Sequence, residues 1–306
     1  MFKSLRLVFA LSVSILALPL LGSSLAAAGS SPSGCVVSLS PTATETLFAI
    51  GAGPQVQAVD TDSNFPTTGL PTKRINALNP SVEAVLGICK VTSSYPSTKP
   101  DLVVISYDAN DIQQKLTNLG VKVVYQDAPT TLAGAYSQIE QLGRLTGHLT
   151  EADTLAASLK KTIDADIASV PSHPTKKVTV YYEISTNPYY SLTSDTFVGS
   201  LLKSLGLVNV ADGDATSADA GYPQLSGEYI ASANPKLIFL AGDASVPSVA
   251  KRPAFKEVSA VLNHHVILLS ADIASRWGPR LGVLMSQLTI AVKGVLADQK
   301  LWHTTQ

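Results

Sequence analysis

The stretch Thr150-Glu-Ala-Asp-Thr-Leu-Ala-Ala-Ser-Leu-Lys-Lys-Thr-Ile-Asp-Ala-Asp-Ile-Ala-Ser-Val170 decides the fold. Ala152, Leu155, Ala156, Leu159, Ile163, Ile167 and Val170 recur at helical intervals, so they share one apolar face of an α-helix. Thr150-x-x-Asp153 resembles a cap, and Pro171 and Pro174 stop the helix. At 1.5 Å per residue it runs roughly 30 Å, enough to cross between two domains.

Outward from this helix the chain alternates strand and helix patterns. Strands are predicted at Cys35 to Leu39, Val56 to Val59, Leu102 to Ser106 and Val121 to Tyr125 before it, and at Lys177 to Ile184, Leu237 to Ala241 and Val266 to Ser270 after it. Such alternation implies mostly parallel sheets with helices on both faces. Ser40-Pro41 followed by Thr42-x-x-Glu45 reads as a helix start with a capping box, and Gly51 ends that helix.

The two halves repeat one another. Leu47-Phe48-Ala49-Ile50-Gly51 leading to Val59-Asp60 matches Leu201-Leu202-Lys203-Ser204-Leu205-Gly206 leading to Ala211-Asp212. Glu83 precedes Lys99-Pro100-Asp101-Leu102 as Glu228 precedes Asn234-Pro235-Lys236-Leu237, with about 10 extra residues in the first half around Cys89 to Thr98. Leu119 to Asp127 and Leu262 to Asp272 close the halves alike. The predicted fold is α/β: two Rossmann-like lobes, 35–148 and 176–306, joined by a single long α-helix, 149–171, with a ligand cleft between the lobes.

Lys3 and Arg6, the apolar run Leu7 to Leu21 and Leu25-Ala26-Ala27-Ala28 have the three regions of a secretory signal peptide, residues 1–28, cleaved after Ala28. The run falls short of the roughly 20 apolar residues that span a bilayer. Export to the periplasm or cell surface follows, and the mature chain carries 20 basic against 23 acidic residues. That balance, with 45% hydrophobic residues, excludes a nucleic-acid-binding field and a disordered chain. Outside the cytoplasm Cys35 and Cys89 can pair, closing a 54-residue separation worth roughly 4 kcal/mol in the chain-entropy model. A lipidated Cys35 and free thiols are the competing readings; Pro32-Ser33-Gly34 lacks the apolar residue usual before a lipidated cysteine.

No G-x-S-x-G elbow, Walker loop or H-E-x-x-H motif is present, so no catalytic residue, cofactor or metal site is assigned. His148, His173, His264, His265 and His303 are dispersed, and the adjacent pair sits at a turn. Ligands of open α/β sheets bind beyond the carboxyl ends of the strands. The loops there hold Asp62, Tyr107, Tyr182, Tyr189, Tyr190, Tyr222, Asp272, Arg276 and Trp277, an aromatic set with few charges. Of Tyr181 and Tyr182 only one can face the cleft. Aromatic faces suit a large flat ligand, whereas an anionic siderophore would call for clustered cations, for which Arg276 and Arg280 are the candidates. An exported enzyme on a two-lobed scaffold is the alternative of a different class.

Val37-Ser-Leu-Ser-Pro-Thr-Ala-Thr-Glu-Thr-Leu-Phe-Ala-Ile-Gly51, Asn79-Pro-Ser-Val-Glu-Ala-Val85, Lys99-Pro-Asp-Leu-Val-Val104 and Tyr222-Pro-Gln-Leu-Ser226 resemble the substrate-binding proteins of ABC importers for cobalamin, haem and ferric siderophores, the helical-backbone class, and most of all its cobalamin-binding members. The resemblance spans nearly all of residues 35 to 300. It implies a monomer that carries cobalamin or another corrinoid as transported ligand, with haem or a ferric siderophore as alternatives. It further implies cleft aromatics at Tyr107, Tyr190, Tyr222 and Trp277, an acid near Asp272, and docking of Glu83 and Glu228 onto arginines of a permease dimer. The cysteine-bearing insertion departs from the family pattern, as do tyrosines where relatives carry tryptophan.

Overall fold

The computed structural model describes residues 34–92, 96–171 and 177–304, with side chains to residue 298. The predicted signal peptide, His173 and the side chain of His303 lie outside the described residues. Five short strands, β1 (Val36–Leu39), β2 (Val56–Asp60), β3 (Arg74–Ile75), β4 (Leu102–Ile105) and β5 (Lys122–Tyr125), form a parallel sheet of order β3-β2-β1-β4-β5. The central strands β1 and β4 are buried at every position and pair from Val36↔Leu102 to Leu39↔Ile105. Burial on both faces is why they read as continuous rather than alternating apolar runs. Around them pack α1 (Pro41–Ala49), α2 (Val82–Leu86), α3 (Ile112–Asn118) and α4 (Leu132–Thr146).

Helix α5 (Leu149–Ala168) is N-capped by His148, two residues before the predicted cap and without a side-chain cap hydrogen bond, so Thr150 and Asp153 lie inside the helix. Ala152 and Leu159 join the core of the first lobe, and Ile163, further along the helix, joins that of the second. One amphipathic face thus serves two cores in succession.

The second lobe contains β6 (Thr179–Glu183), β7 (Ser185–Thr186), β8 (Tyr189–Tyr190), β9 (Val208–Asn209), β10 (Gln224–Leu225), β11 (Leu237–Leu240) and β12 (Val266–Leu268). Its helices are α6 (Phe197–Ser204), α7 (Gly227–Ala233), α8 (Val246–Ala250), α9 (Ser259–Leu262), α10 (Ala271–Ala274) and α11 (Leu281–Thr304). The parallel sheet β12-β11-β6-β9 reproduces the order β5-β4-β1-β2 of the first lobe, giving the repeat a structural form. Ala211 and Asp212, matched in sequence to the end of β2, instead form a 3-10 turn after a two-residue strand. Strands β7, β8 and β10 make a separate antiparallel ribbon, with a cis Asn187–Pro188 bond between the first two.

By length and composition α11 could cross a membrane, but Leu281, Leu284, Met285, Leu288, Val292 and Val295 are spent in the second lobe's core. At the foot of β1, Cys35 and Cys89 form a disulfide, Cα atoms 6.2 Å apart. The Cys89 amide donates to the Thr98 carbonyl at 3.2 Å, and Asp101 accepts from the amides of Gly34 and Cys35. The two ends of the insertion, Cys89 and Thr98, are therefore bonded to one another, and Cys89 is tied to the residue that precedes β1.

Candidate functional site: the interlobe cleft

Beyond the carboxyl ends of β6 and β11 the chain leaves a cavity of about 240 Å³. Tyr182, penultimate in β6, and Phe197, at the start of α6, belong to its apolar wall, while Ala128, after β5 of the first lobe, closes one side. Tyr182 leans on Phe239 with ring centroids 6.3 Å apart. Alternation along β6 sends Tyr181 into the other core cluster of this lobe, so Tyr182 alone of the pair reaches the cavity. The Tyr182 hydroxyl is buried without a hydrogen-bond partner, and burial pushes its pKa upward. It is a neutral phenol with a donor to offer.

A polar groove of about 770 Å³ continues from the cavity, sharing Ala128, Phe197 and Tyr222. Asp127 from the first lobe and Asp195, Asp212 and Lys203 from the second stand along it. Asp212 is held by the amide and hydroxyl of Ser194, at 2.8 and 2.7 Å.

Of the predicted site residues, Tyr182, Tyr222, Arg276 and Trp277 line the cavity together. Trp277 is aimed by a 2.8 Å hydrogen bond from its Nε1 to Gln138 Oε1 on α4. Tyr190 pairs with Gln224 across the ribbon and is exposed beside the mouth-forming segment that carries Tyr222. Its neighbour Tyr189 points the other way: it stacks on Phe255 at 5.8 Å, with Arg252 at 5.1 Å from its ring. Arg252 in turn is paired with buried Glu183 at 2.6 and 2.7 Å, so Tyr189 supports the ribbon and does not line the cavity. Tyr107, 60% exposed, stands on the open rim beyond β4 outside both linings.

Sequence reasoning missed the role of Glu45. The predicted capping box does not form; Ser40 caps α1 by accepting from the Ala43 amide. Glu45 is 2% exposed, and its Oε1 accepts from Arg276 Nη1 at 2.6 Å and Arg280 Nη2 at 2.5 Å, while Oε2 accepts from Arg280 Nε at 2.8 Å. Arg276 also donates to Asn64 Oδ1, to the Asp62 carbonyl and to Asp272 Oδ1. Asp272 Oδ2 accepts from Asn64 Nδ2, and Arg280 lies 4.5 Å over the Phe65 ring. Asp62 thus contributes its backbone, and Asp272 and Arg276 serve as a latch between α1, the loop after β2 and the segment after β12. The signal was an acid one turn into α1 with two arginines four apart far downstream, which spacing alone does not connect.

His264 and His265 precede β12, at the opposite end of the strand from the cavity, and His265 pairs with Asp298 at 2.8 Å. Among the described residues no cluster of His, Cys, Asp and Glu could hold a metal ion. Glu83 and Glu228 are exposed in the first turns of α2 and α7, each two residues after a serine N-cap that accepts from an amide of that turn. The Glu83 carboxyl is held below its ordinary pKa by its own backbone amide and the Ser81 hydroxyl.

A two-lobed α/β molecule with a cleft at the strand ends is a solute receptor in form, and a family model described as periplasmic binding protein matches residues 36–273. The chain belongs to this periplasmic binding protein family. It is 30% identical over 253 residues, 80% of this chain and 76% of the relative, to an uncharacterised ABC transporter substrate-binding lipoprotein of Bacillus subtilis. A vitamin B12-binding protein of Pectobacterium atrosepticum is 26% identical, covering 83% of this chain and 86% of that one. Among solved structures, a periplasmic solute-binding protein of Staphylococcus epidermidis, a possible iron binder, superposes with a TM-score of 0.71 at 28% identity over 85% of this chain and 98% of its own.

Proposed function

We propose that this protein captures a corrinoid, cobalamin or a close analogue, in the interlobe cleft outside the cytoplasm and delivers it to the permease of an ABC importer. The observation that carries this reading is the composition of the cleft: an apolar cavity with Tyr182, Tyr222 and Trp277, opening into a groove of about 770 Å³ rich in hydroxyls. That volume lies toward the upper end of the roughly 300–1,000 Å³ of small-molecule sites. Aromatic walls supply contact to a flat macrocycle, and the groove's hydroxyls suit its amide-bearing rim. The vitamin B12-binding relative supports the choice of ligand.

Under this reading a leader of residues 1–28 is removed, lobes 35–148 and 176–306 hinge on 149–171, and the monomer presents Glu83 and Glu228 to a two-fold permease. Calorimetry with cobalamin and with cobinamide tests it: one-to-one binding is expected, and no heat beyond dilution at tens of micromolar protein overturns it. A ferric chelate is the second reading, supported by the similarity to the possible iron binder of Staphylococcus epidermidis. The absorption spectrum of protein purified from its native source separates corrin from ferric chromophores.

A further inference from the structure

We propose that Glu45 is a specificity-determining residue of the cleft, which excludes anionic ligands by neutralising Arg276 in the cavity wall together with its neighbour Arg280, one turn further on. This rests on the cleft being the ligand site. Arg276 lines the cavity, yet four of its hydrogen bonds are taken by Glu45, Asn64, the Asp62 carbonyl and Asp272. Arg280 gives both its Nε and its Nη2 to Glu45. Two guanidiniums therefore face two carboxylates, and the cluster carries no net positive charge. The adjoining groove has three carboxylates, Asp127, Asp195 and Asp212, against one ammonium, Lys203, a balance of −2. An anionic chelate entering here meets guanidiniums whose charge is already matched by carboxylates, and a wall of its own sign. A neutral ligand meets neither penalty.

The prediction is a gain of function. Glu45→Gln keeps the shape of the side chain but leaves Arg276 and Arg280 undercompensated next to the cavity. Asp272→Asn removes the second carboxylate at an exposed position, so it tests the same charge balance on Arg276 without altering a buried side chain.

Each variant and the wild type are titrated with ferric citrate, followed by tryptophan fluorescence, at low and high salt. Both variants are expected to bind the anion at least about tenfold more tightly than wild type, the scale of one hydrogen bond to a charged group. The gain should fade with salt, and Glu45→Asp should restore the exclusion; a merely structural role for Glu45 would produce neither effect. The proposal is overturned if wild type already binds ferric citrate as tightly as the variants, or if folded Asp272→Asn binds it no better than wild type. A parallel titration of wild type with cyanocobalamin, a neutral corrinoid, keeps the two readings apart. Absent corrinoid binding removes the ligand assignment and leaves the comparison among the citrate titrations intact.

Discussion

Glu45 on the first helix accepts a 2.6 Å hydrogen bond from Arg276, a residue 231 positions later in the chain. Both side chains are almost completely buried, and Arg280 completes the arrangement from one turn further on. A buried carboxylate between two guanidiniums is costly to break, because removing it leaves like charges facing one another away from water. Glu45→Ala is therefore expected to lower stability by about 3–5 kcal/mol. Urea unfolding monitored by circular dichroism measures this, and an unchanged midpoint would show that the latch contributes nothing.

Loss of the cleft aromatics should weaken ligand binding without unfolding the chain. Tyr190→Ala, Tyr222→Ala and Trp277→Ala are each expected to cost about 1–3 kcal/mol in corrinoid affinity, the scale of a buried aromatic contact. Isothermal titration provides the numbers. Wild-type affinity in all three variants would place the ligand elsewhere.

Delivery is separable from capture. The double variant Glu83→Ala/Glu228→Ala is expected to bind ligand as wild type does and to lose uptake in a strain carrying the cognate permease, since charge-assisted pairs on both lobes would set the docking register. Normal uptake would reduce these carboxylates to first-turn residues favoured by the helix dipole.

The Cys35–Cys89 disulfide closes a 54-residue separation at the edge of the first core. Intact-mass analysis should find no alkylatable thiol before reduction, and reduction should cost roughly 4 kcal/mol. Two thiols labelled without reductant would refute the pairing.

Asp60 gives stability a pH dependence of definite sign. Burial raises its pKa above the ordinary 3.8, against the lowering effect of its bonds from the Ser63 hydroxyl and Asp62 amide. The folded chain therefore binds this proton more tightly than the unfolded one, and the group's contribution is fully present below the ordinary pKa and lost as pH rises through the raised value. Asp60→Asn stays uncharged throughout. Its stability relative to wild type should be greater at about pH 7 than at about pH 4. Urea midpoints at the two pH values that differ from wild type by the same amount would contradict this.

What the sequence determined by itself was whatever depends on neighbours a few residues away. The linking helix was legible because Ala152, Ala156, Leu159 and Ile163 recur with the helical period, and the structure buries all four. The central strands were legible because they are buried on both faces and read as apolar runs, broken only by the buried Ser38 of β1. The two glutamates were legible as equivalents because each precedes a proline-initiated strand in its own half, and the structure puts both in the first turn of a serine-capped helix. The tertiary structure decided the rest. Glu45 stands at capping-box spacing, but an ion pair with arginines more than 230 residues away outweighs a local cap once burial removes competing water. Tyr189 and Tyr190 are adjacent and chemically identical, and only the ribbon's pairing sends one onto Phe255 and leaves the other exposed. Arg276 looked free to meet an anion in sequence and in space gives four hydrogen bonds to groups of the chain itself, because local spacing carries no information about which distant groups the folded chain brings to a side chain.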